Sequence, residues 1–436
     1  MIKRLFIIGL LTGFGHLVTL LALKFITKNV ESGVIANIGE IDSLSLLIVS
    51  VVAFGLQLSA TRELAILDDW KSEYYKTQSA RLTLSIFLFF LGFLGFFYTK
   101  NYLFFMAPII ALNADYALYG RGKPIIGAMV ALMRVLIPSL TLVVCSIYFL
   151  DNLAYYYSIS IIVAYLLTGL AVSKALNVNY FVKPTFNSLL KYIYNIRIGI
   201  ASFSLFFVGV GVINVMAYFY NDTSIAAIYV ALKLYMIFKG VRRIIVQSFF
   251  KELKEISVSL KIDYFAIITG VVFLSSLLFF PETIISLLFD EKYHVYSTTF
   301  LILGVAGFIS SFTTSSGTRL LLKKMDKAYS RNLILAAIVT IISGVIFWFT
   351  MGEKPYLIAL SVLLGETTIS VLNVVSLGEN GFLIKRIKMV YPIFFTVLFF
   401  IPIRYYLGQD IIIFVFSMLL FAMAILFYTK KELKFL

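Results

Sequence analysis

Apolar residues in this chain fall into long runs, without the period-two alternation or one-sided stripes of a water-soluble fold. Fourteen runs read as membrane-spanning helices: residues 5–23, 43–60, 82–98, 102–120, 125–150, 155–175, 198–220, 224–241, 262–280, 296–316, 332–350, 356–378, 390–407 and 411–428. Each approaches the roughly 20 apolar residues a helix needs to cross about 30 Å of hydrocarbon. Helices are expected because hydrocarbon offers no water to unpaired backbone groups. Strands of a closed β-barrel would be about half as long and would alternate in polarity. The fold class is therefore all-α and polytopic, with about 14 transmembrane helices. The least apolar runs are 43–60, rich in Ser, and 224–241, which contains Lys233 and Lys239. Residues 1–23 resemble a signal peptide in carrying Lys3 and Arg4 before an apolar stretch. No small-x-small cleavage site precedes Lys24, so the stretch reads as the first span.

Charge then orients the spans. Of the 37 Lys and Arg residues, 29 fall in one alternating set of gaps, the adjoining run ends and the tails, six in the other set, and two deep inside runs. The rich set includes Arg62, Lys71, Lys76 and Arg81, then Arg121 and Lys123, then Lys174, Lys183, Lys191 and Arg197. The poor set is Lys24, Lys28, Lys100, Lys292, Lys354 and Arg404. By the positive-inside rule the rich set, and with it both termini, is expected in the cytoplasm. An apolar content of 61% against 14% charge excludes a soluble domain. The net charge of +15 is spread one loop at a time, which suits orientation and contact with anionic membrane lipid rather than nucleic acid. The single Cys145 can form no intrachain disulfide.

No gap is long enough for a folded extramembrane domain, which argues against lipid-linked glycosyltransferases, polymerases and receptors with soluble sensors. Segments 61–81 and 176–197 mix basic and aromatic residues and suit helices lying at the membrane interface. The second separates two groups of six spans. The expected organisation is an N-terminal six-helix bundle with its linker (1–197), a C-terminal six-helix bundle (198–384) and two further helices (385–436). An internal echo supports it: span four leaves the membrane at Tyr-Gly-Arg-Gly-Lys (119–123) and span ten at Ser-Gly-Thr-Arg (316–319). Parallel repeats of this kind are common in secondary transporters.

Five ionisable residues fall within runs and away from their ends: His16, Asp115, Arg134, Lys233 and Glu366. A charge at the bilayer centre costs about 3 kcal/mol or more, so such groups usually face an interior or a wet cavity. At about 1.5 Å per residue, His16, Arg134, Lys233 and Glu366 lie roughly 14–17 Å deep, and Asp115 is shallower. Glu366 either couples to an ion or pairs with Arg134 or Lys233. Asp115 either titrates or pairs with Arg121 or Lys123, and His16, between Gly15 and Leu17, either titrates or packs as a neutral residue. Arg134 carries a guanidinium suited to bidentate phosphate or carboxylate binding. Gln57, Asn113, Asn214 and Asn373 offer amides for sugar hydroxyls or neighbouring helices. Pro138, Pro392 and Pro402 are expected to bend spans five and thirteen. No metal-ligand cluster, nucleotide-binding loop or catalytic triad is present in the sequence. No cofactor is expected, and uphill transport would draw on a proton or sodium gradient.

Three short motifs carry a family resemblance. Residues 281–293, from Pro281 to Tyr293, resemble the P-x-x-I-I-x-L-L-F-G-x-x-Y segment of Wzx-type O-antigen flippases, with Asp290 in place of Gly. Residues 228–234 are similar to that family's Y-x-A-A-x-[RK]-L and place Lys233 on its basic position. Arg62, in the stretch 58–65, occupies an A-x-R-x-[IL]-A setting. The resemblance implies the multidrug/oligosaccharidyl-lipid/polysaccharide exporter superfamily, with two six-helix bundles alternating between inward- and outward-open states. It implies a bacterial inner-membrane flippase, not an enzyme, that moves an undecaprenyl-pyrophosphate-linked oligosaccharide from the cytoplasmic to the periplasmic leaflet. Arg134, Lys233, Arg62 and Asn214 would bind cargo, and Glu366, Asp115 and His16 are candidates for ion coupling. A polysaccharide polymerase and a chain-length regulator are the implied protein partners. A multidrug/cation antiporter and a lipid II flippase remain alternatives.

Overall fold

A computed structural model describes residues 2–248, 253, 255–379, 384, 412, 413, 415, 416 and 419. Span 390–407 with Pro392 and Pro402, and all but five residues of span 411–428, lie outside the described residues. The described elements are helical, with no strand among them. The chain divides into two compact units, Met1–Phe206 and Phe207–Leu436.

Unit 1 contains α1 (Ile2–Asn29), α2 (Ser32–Ala53), α3 (Leu56–Ile66), α4 (Trp70–Thr99), α5 (Ala107–Leu112), α6 (Asp115–Gly120), α7 (Pro124–Tyr148), α8 (Leu153–Leu176), α9 (Leu190–Tyr194) and α10 (Ile196–Phe207). In it α7 packs on α1 and α8, and α5 lies between α4 and α8. Unit 2 contains α11 (Val212–Met216), α12 (Asp222–Ser248), α13 (Ile256–Phe279), α14 (Pro281–Leu288), α15 (Ser297–Ser311), α16 (Ser316–Leu322), α17 (Asp326–Met351) and α18 (Pro355–Leu377). There α18 packs on α15 and α17, and α15 on α12 and α13.

Ten stretches among the described residues are long and apolar enough to cross a membrane. The fourteen expected runs differ from these in an orderly way. Two C-terminal runs fall largely outside the described residues, and spans four and seven are broken into helices each too short to cross a membrane. Span four becomes α5 and α6 around Asn113 and Ala114, and span seven becomes α10 and α11 around 208–211. Large apolar side chains point outward along α4 (Phe90, Leu91, Leu94, Phe97) and α7 (Met129, Leu140, Val144). Contiguous exposure of this kind is stable only against lipid. The protein is a multi-pass membrane protein.

Span two also differs from expectation. The helix runs over Ser32–Ala53, and the chain then turns at Phe54 (φ 27°) and Gly55 (φ 78°) before α3. Glycine tolerates the left-handed conformation that a side chain resists. The kink is held from the linker: the Tyr192 hydroxyl donates to the Val52 carbonyl at 2.6 Å. Backbone packs closely there, since a Cβ at Gly199 would lie 2.4 Å from the Phe54 ring.

The expected interfacial helices are shorter than the segments that suggested them. Segment 61–81 is divided between α3 and α4, and Asp69 caps α4 by accepting from the Ser72 N–H at 3.3 Å. Segment 176–197 is irregular over 177–185, with a 3-10 turn at Phe186–Leu189 followed by α9. Pro138 sits inside α7, which remains one helix over Pro124–Tyr148.

Candidate functional site

Backbone freed inside a membrane must find a partner in the protein, and in unit 1 the break of span four is surrounded by donors. Arg81 of α4 donates to the carbonyls of Ile110 (3.1 Å) and Asn113 (3.0 Å). Gln78, one turn earlier, donates to the Ala111 carbonyl at 3.1 Å and accepts from the Tyr116 hydroxyl at 3.1 Å. The Asn113 amide spans to α8, donating to Thr168 Oγ1 at 2.8 Å. Arg81 is 5% exposed and lies 5.2 Å from the Tyr116 ring centroid, so a buried guanidinium organises the break.

This framework places Asp115 in the first turn of α6, where the helix dipole favours a carboxylate. Asp115 Oδ2 accepts from Arg134 Nη2 of α7 at 2.5 Å, and the guanidinium lies 5.3 Å from the Tyr165 ring. The alternatives with Arg121 and Lys123 are not realised because both cations are engaged elsewhere. Arg121 donates to the Leu64 carbonyl at 3.1 Å and covers the Trp70 ring, and Lys123 donates to the Ala175 carbonyl at 2.7 Å.

In unit 2, Glu366 on α18 is 4% exposed and pairs with Lys239 of α12 at 2.5 Å. Lys233, the partner expected from sequence, lies instead against the Tyr229 ring at 5.2 Å. Residues six apart point about 120° from each other on an α-helix, so Lys233 and Lys239 do not share a partner. The sequence reading used Lys239 only as a sign of a weak span. Tyr235, Lys239 and Arg242 sit at i, i+4 and i+7, and that spacing was the overlooked signal. Lys239 lies 5.3 Å from the Tyr235 ring, and the buried Arg242 lies 4.7 Å from the Phe238 ring.

Span ten of unit 2 is broken like span four, between α15 and α16. Asp263 of α13 accepts from the Ser315 N–H at 2.8 Å and from its hydroxyl at 2.9 Å. Thr313 bonds Ser370 of α18 at 3.0 Å. Within α16, Arg319 pairs with Glu379, just past the end of α18, at 2.5 Å with both side chains buried.

The remaining expected site residues lie apart from these pairs. Arg62 is exposed on α3, and His16 is half-buried on α1. Asn214 sits on α11 in the broken span seven, and its buried Nδ2 has no hydrogen-bond partner among the described residues. No group of His, Cys, Asp and Glu able to hold a metal occurs among the described residues.

No family model and no curated protein matches this sequence. Solved structures do. The lipid II flippase MurJ in an inward closed conformation superposes with a TM-score of 0.63 at 15% identity, covering 98% of this chain and 99% of that one. A MATE transporter in complex with MaL6 gives 0.57 at 13% identity, over 88% of this chain and 95% of the other. A MOP superfamily transporter from Pyrococcus furiosus gives 0.51 at 13% identity, over 85% and 92%. At these identities the likeness establishes the fold alone, which this chain shares with the three structures.

Proposed function

We propose that this protein flips a polyprenyl-pyrophosphate-linked oligosaccharide, an O-antigen or other surface-polysaccharide repeat unit, across a bacterial inner membrane by alternating access. The observation that carries this reading is the row of cations on α12, Lys233, Lys239 and Arg242 within ten residues, of which Lys239 is held by Glu366. Cations embedded at membrane depth are expensive, and an anionic pyrophosphate or acidic sugar is the cargo that offsets them. In unit 1, Arg134 adds a guanidinium that a phosphate can draw from Asp115. The unsatisfied Asn214 amide suits a sugar hydroxyl, and the exposed Arg62 suits first contact with the anionic carrier. Cytoplasmic termini, from the loop charges, put the basic ends of the spans on the side where such cargo is assembled. Glu366, Asp115 and His16 are the groups whose protonation, or sodium binding at the carboxylates, would couple transport to a gradient. A polymerase and a chain-length regulator would act on the flipped product.

The test is flipping of a fluorescent polyprenyl-pyrophosphate oligosaccharide in proteoliposomes. Lys239→Ala and Arg134→Ala are each expected to reduce the rate at least tenfold with normal protein abundance. Wild-type rates in both would remove the cargo assignment. Lipid II is the second reading, because coverage of the MurJ structure exceeds that of the MATE structure by ten points, 98 less 88, about two spans of this chain. The same assay with lipid II as the faster cargo would select it. A multidrug/cation antiporter fits less well, since cationic cargo calls for an acidic site.

A further inference from the structure

A groove of about 740 Å³ lies wholly within unit 1, between the start of α4 and the segment 179–194. Its walls include Lys76 and Lys183, both exposed, and Lys191; no Asp or Glu lines it. Lys191 is engaged with Glu63 and Glu73 and with the Thr77 hydroxyl. Lys76 and Lys183 join no ion pair among the described residues. Hydroxyls shape the groove floor: Ser79 donates to the Lys183 carbonyl at 2.9 Å and meets Thr185 Oγ1 at 3.0 Å, which fixes the loop that carries Lys183.

The rim is apolar. Phe181 is 76% exposed and Tyr194 80%, with Leu190 beside them. Phe186 of the same segment sits edge-on against Phe87, an outward-facing residue in the apolar part of α4. The groove therefore opens at the level where the span emerges from hydrocarbon. Exposed aromatic side chains belong at that boundary, where a ring contacts lipid and a polar edge meets water. Two unneutralised ammonium groups next to such a rim complement one kind of molecule, which carries phosphate at one end and acyl chains at the other.

We propose that this groove binds an anionic bilayer phospholipid, with its phosphate on Lys76 and Lys183 and an acyl chain along Phe181, Leu190 and Tyr194. The site is separate from the ion pairs assigned to cargo and does not rest on that assignment. The bound lipid holds the 179–194 segment onto α4.

Native mass spectrometry of the full chain, titrated with phosphatidylglycerol and with phosphatidylcholine, tests it. Two lysines at a membrane surface favour the anionic lipid by about thirtyfold. Lys76→Gln/Lys183→Gln is expected to bring that preference down to about twofold. Lys76→Arg/Lys183→Arg is expected to keep it, as is the charge-matched control Lys28→Gln/Lys100→Gln. An undiminished preference in the Gln pair overturns the site, and so does an equal loss in the control. Farnesyl pyrophosphate supplies the remaining arm. If it displaces phosphatidylglycerol from the wild type at lower concentration than phosphatidylglycerol itself requires, the groove is a docking point for pyrophosphate carrier, and the bilayer-lipid assignment is wrong.

Discussion

In unit 1 the backbone freed by a broken span is a set of carbonyls, and Arg81 and Gln78 of the preceding long helix donate to them. In unit 2 it is the N–H of Ser315, and Asp263 of α13 accepts it. A broken helix leaves carbonyls at the end of its leading half and N–H groups at the start of its trailing half. The two breaks differ in which of these groups the clamping side chain reaches. The leading half in unit 2 closes its own turns, with Phe312 N donating to the Ile309 carbonyl and Ser316 N to that of Thr313. The six-residue α5 closes its last turn in the same way, with Asn113 N donating to the Ile110 carbonyl, and Arg81 and Gln78 add side-chain donors to the carbonyls of Ile110, Ala111 and Asn113.

The largest test of this contrast reverses a sign. Arg81→Asp places a carboxylate against the Ile110 and Asn113 carbonyls and is expected to abolish a monodisperse protein in size-exclusion chromatography. Arg81→Lys keeps the charge and one donor, with an expected loss of about 2 kcal/mol in thermal unfolding. Next in size is the pair in unit 2. Glu366→Ala leaves Lys239 without its carboxylate partner and is expected to cost about 3 kcal/mol. Glu366→Gln retains a hydrogen bond and is expected to cost less, while abolishing any stimulation of flipping by a proton gradient. Equal stimulation in Glu366→Gln and wild type would take Glu366 out of coupling.

Asp263→Asn is milder still. One acceptor oxygen remains for Ser315, and the expected loss is about 1 kcal/mol, seen as faster hydrogen exchange confined to 312–316. Exchange spread equally through both units would mean the clamps are not local.

The smallest effect concerns Lys191, whose counterpart ion pairs lie on α3 and α4. Burial pushes the Lys191 ammonium below the usual lysine range, against the pull of Glu63. A depressed lysine binds fewer protons folded than unfolded, so its contribution to stability rises as pH climbs from the lowered value to the ordinary one. Lys191→Met is expected to flatten that rise in unit 1 and to leave exchange in unit 2 unchanged.

Sequence reasoning reached the class of fold because run length and loop charge are set by the bilayer itself. It missed the breaks because Asn113, Val208 and Thr313 are as compatible with a continuous span as with an interrupted one, and the partners that permit interruption stand 30 to 50 residues away. It identified Asp115, Arg134 and Glu366 as charges needing explanation, since hydrocarbon makes any charge conspicuous. It mispaired them because helix rotation is not written in depth. Asp115 meets Arg134 across neighbouring helices of unit 1, and Glu366 meets Lys239 across neighbouring helices of unit 2.

The breaks also set an order of assembly. A chain leaves the ribosome amino end first, so Arg81 exists before the carbonyls at 110 and 113, and Asp263 before Ser315. Spans four and ten thus meet a waiting partner as they enter the membrane. The kink of α2 has no such advantage. Its Val52 carbonyl bonds Tyr192, 140 residues later, a delay of roughly 7 to 28 s at typical rates of synthesis. During that interval this turn is the stretch of unit 1 on which a chaperone or a quality-control protease would have the longest hold.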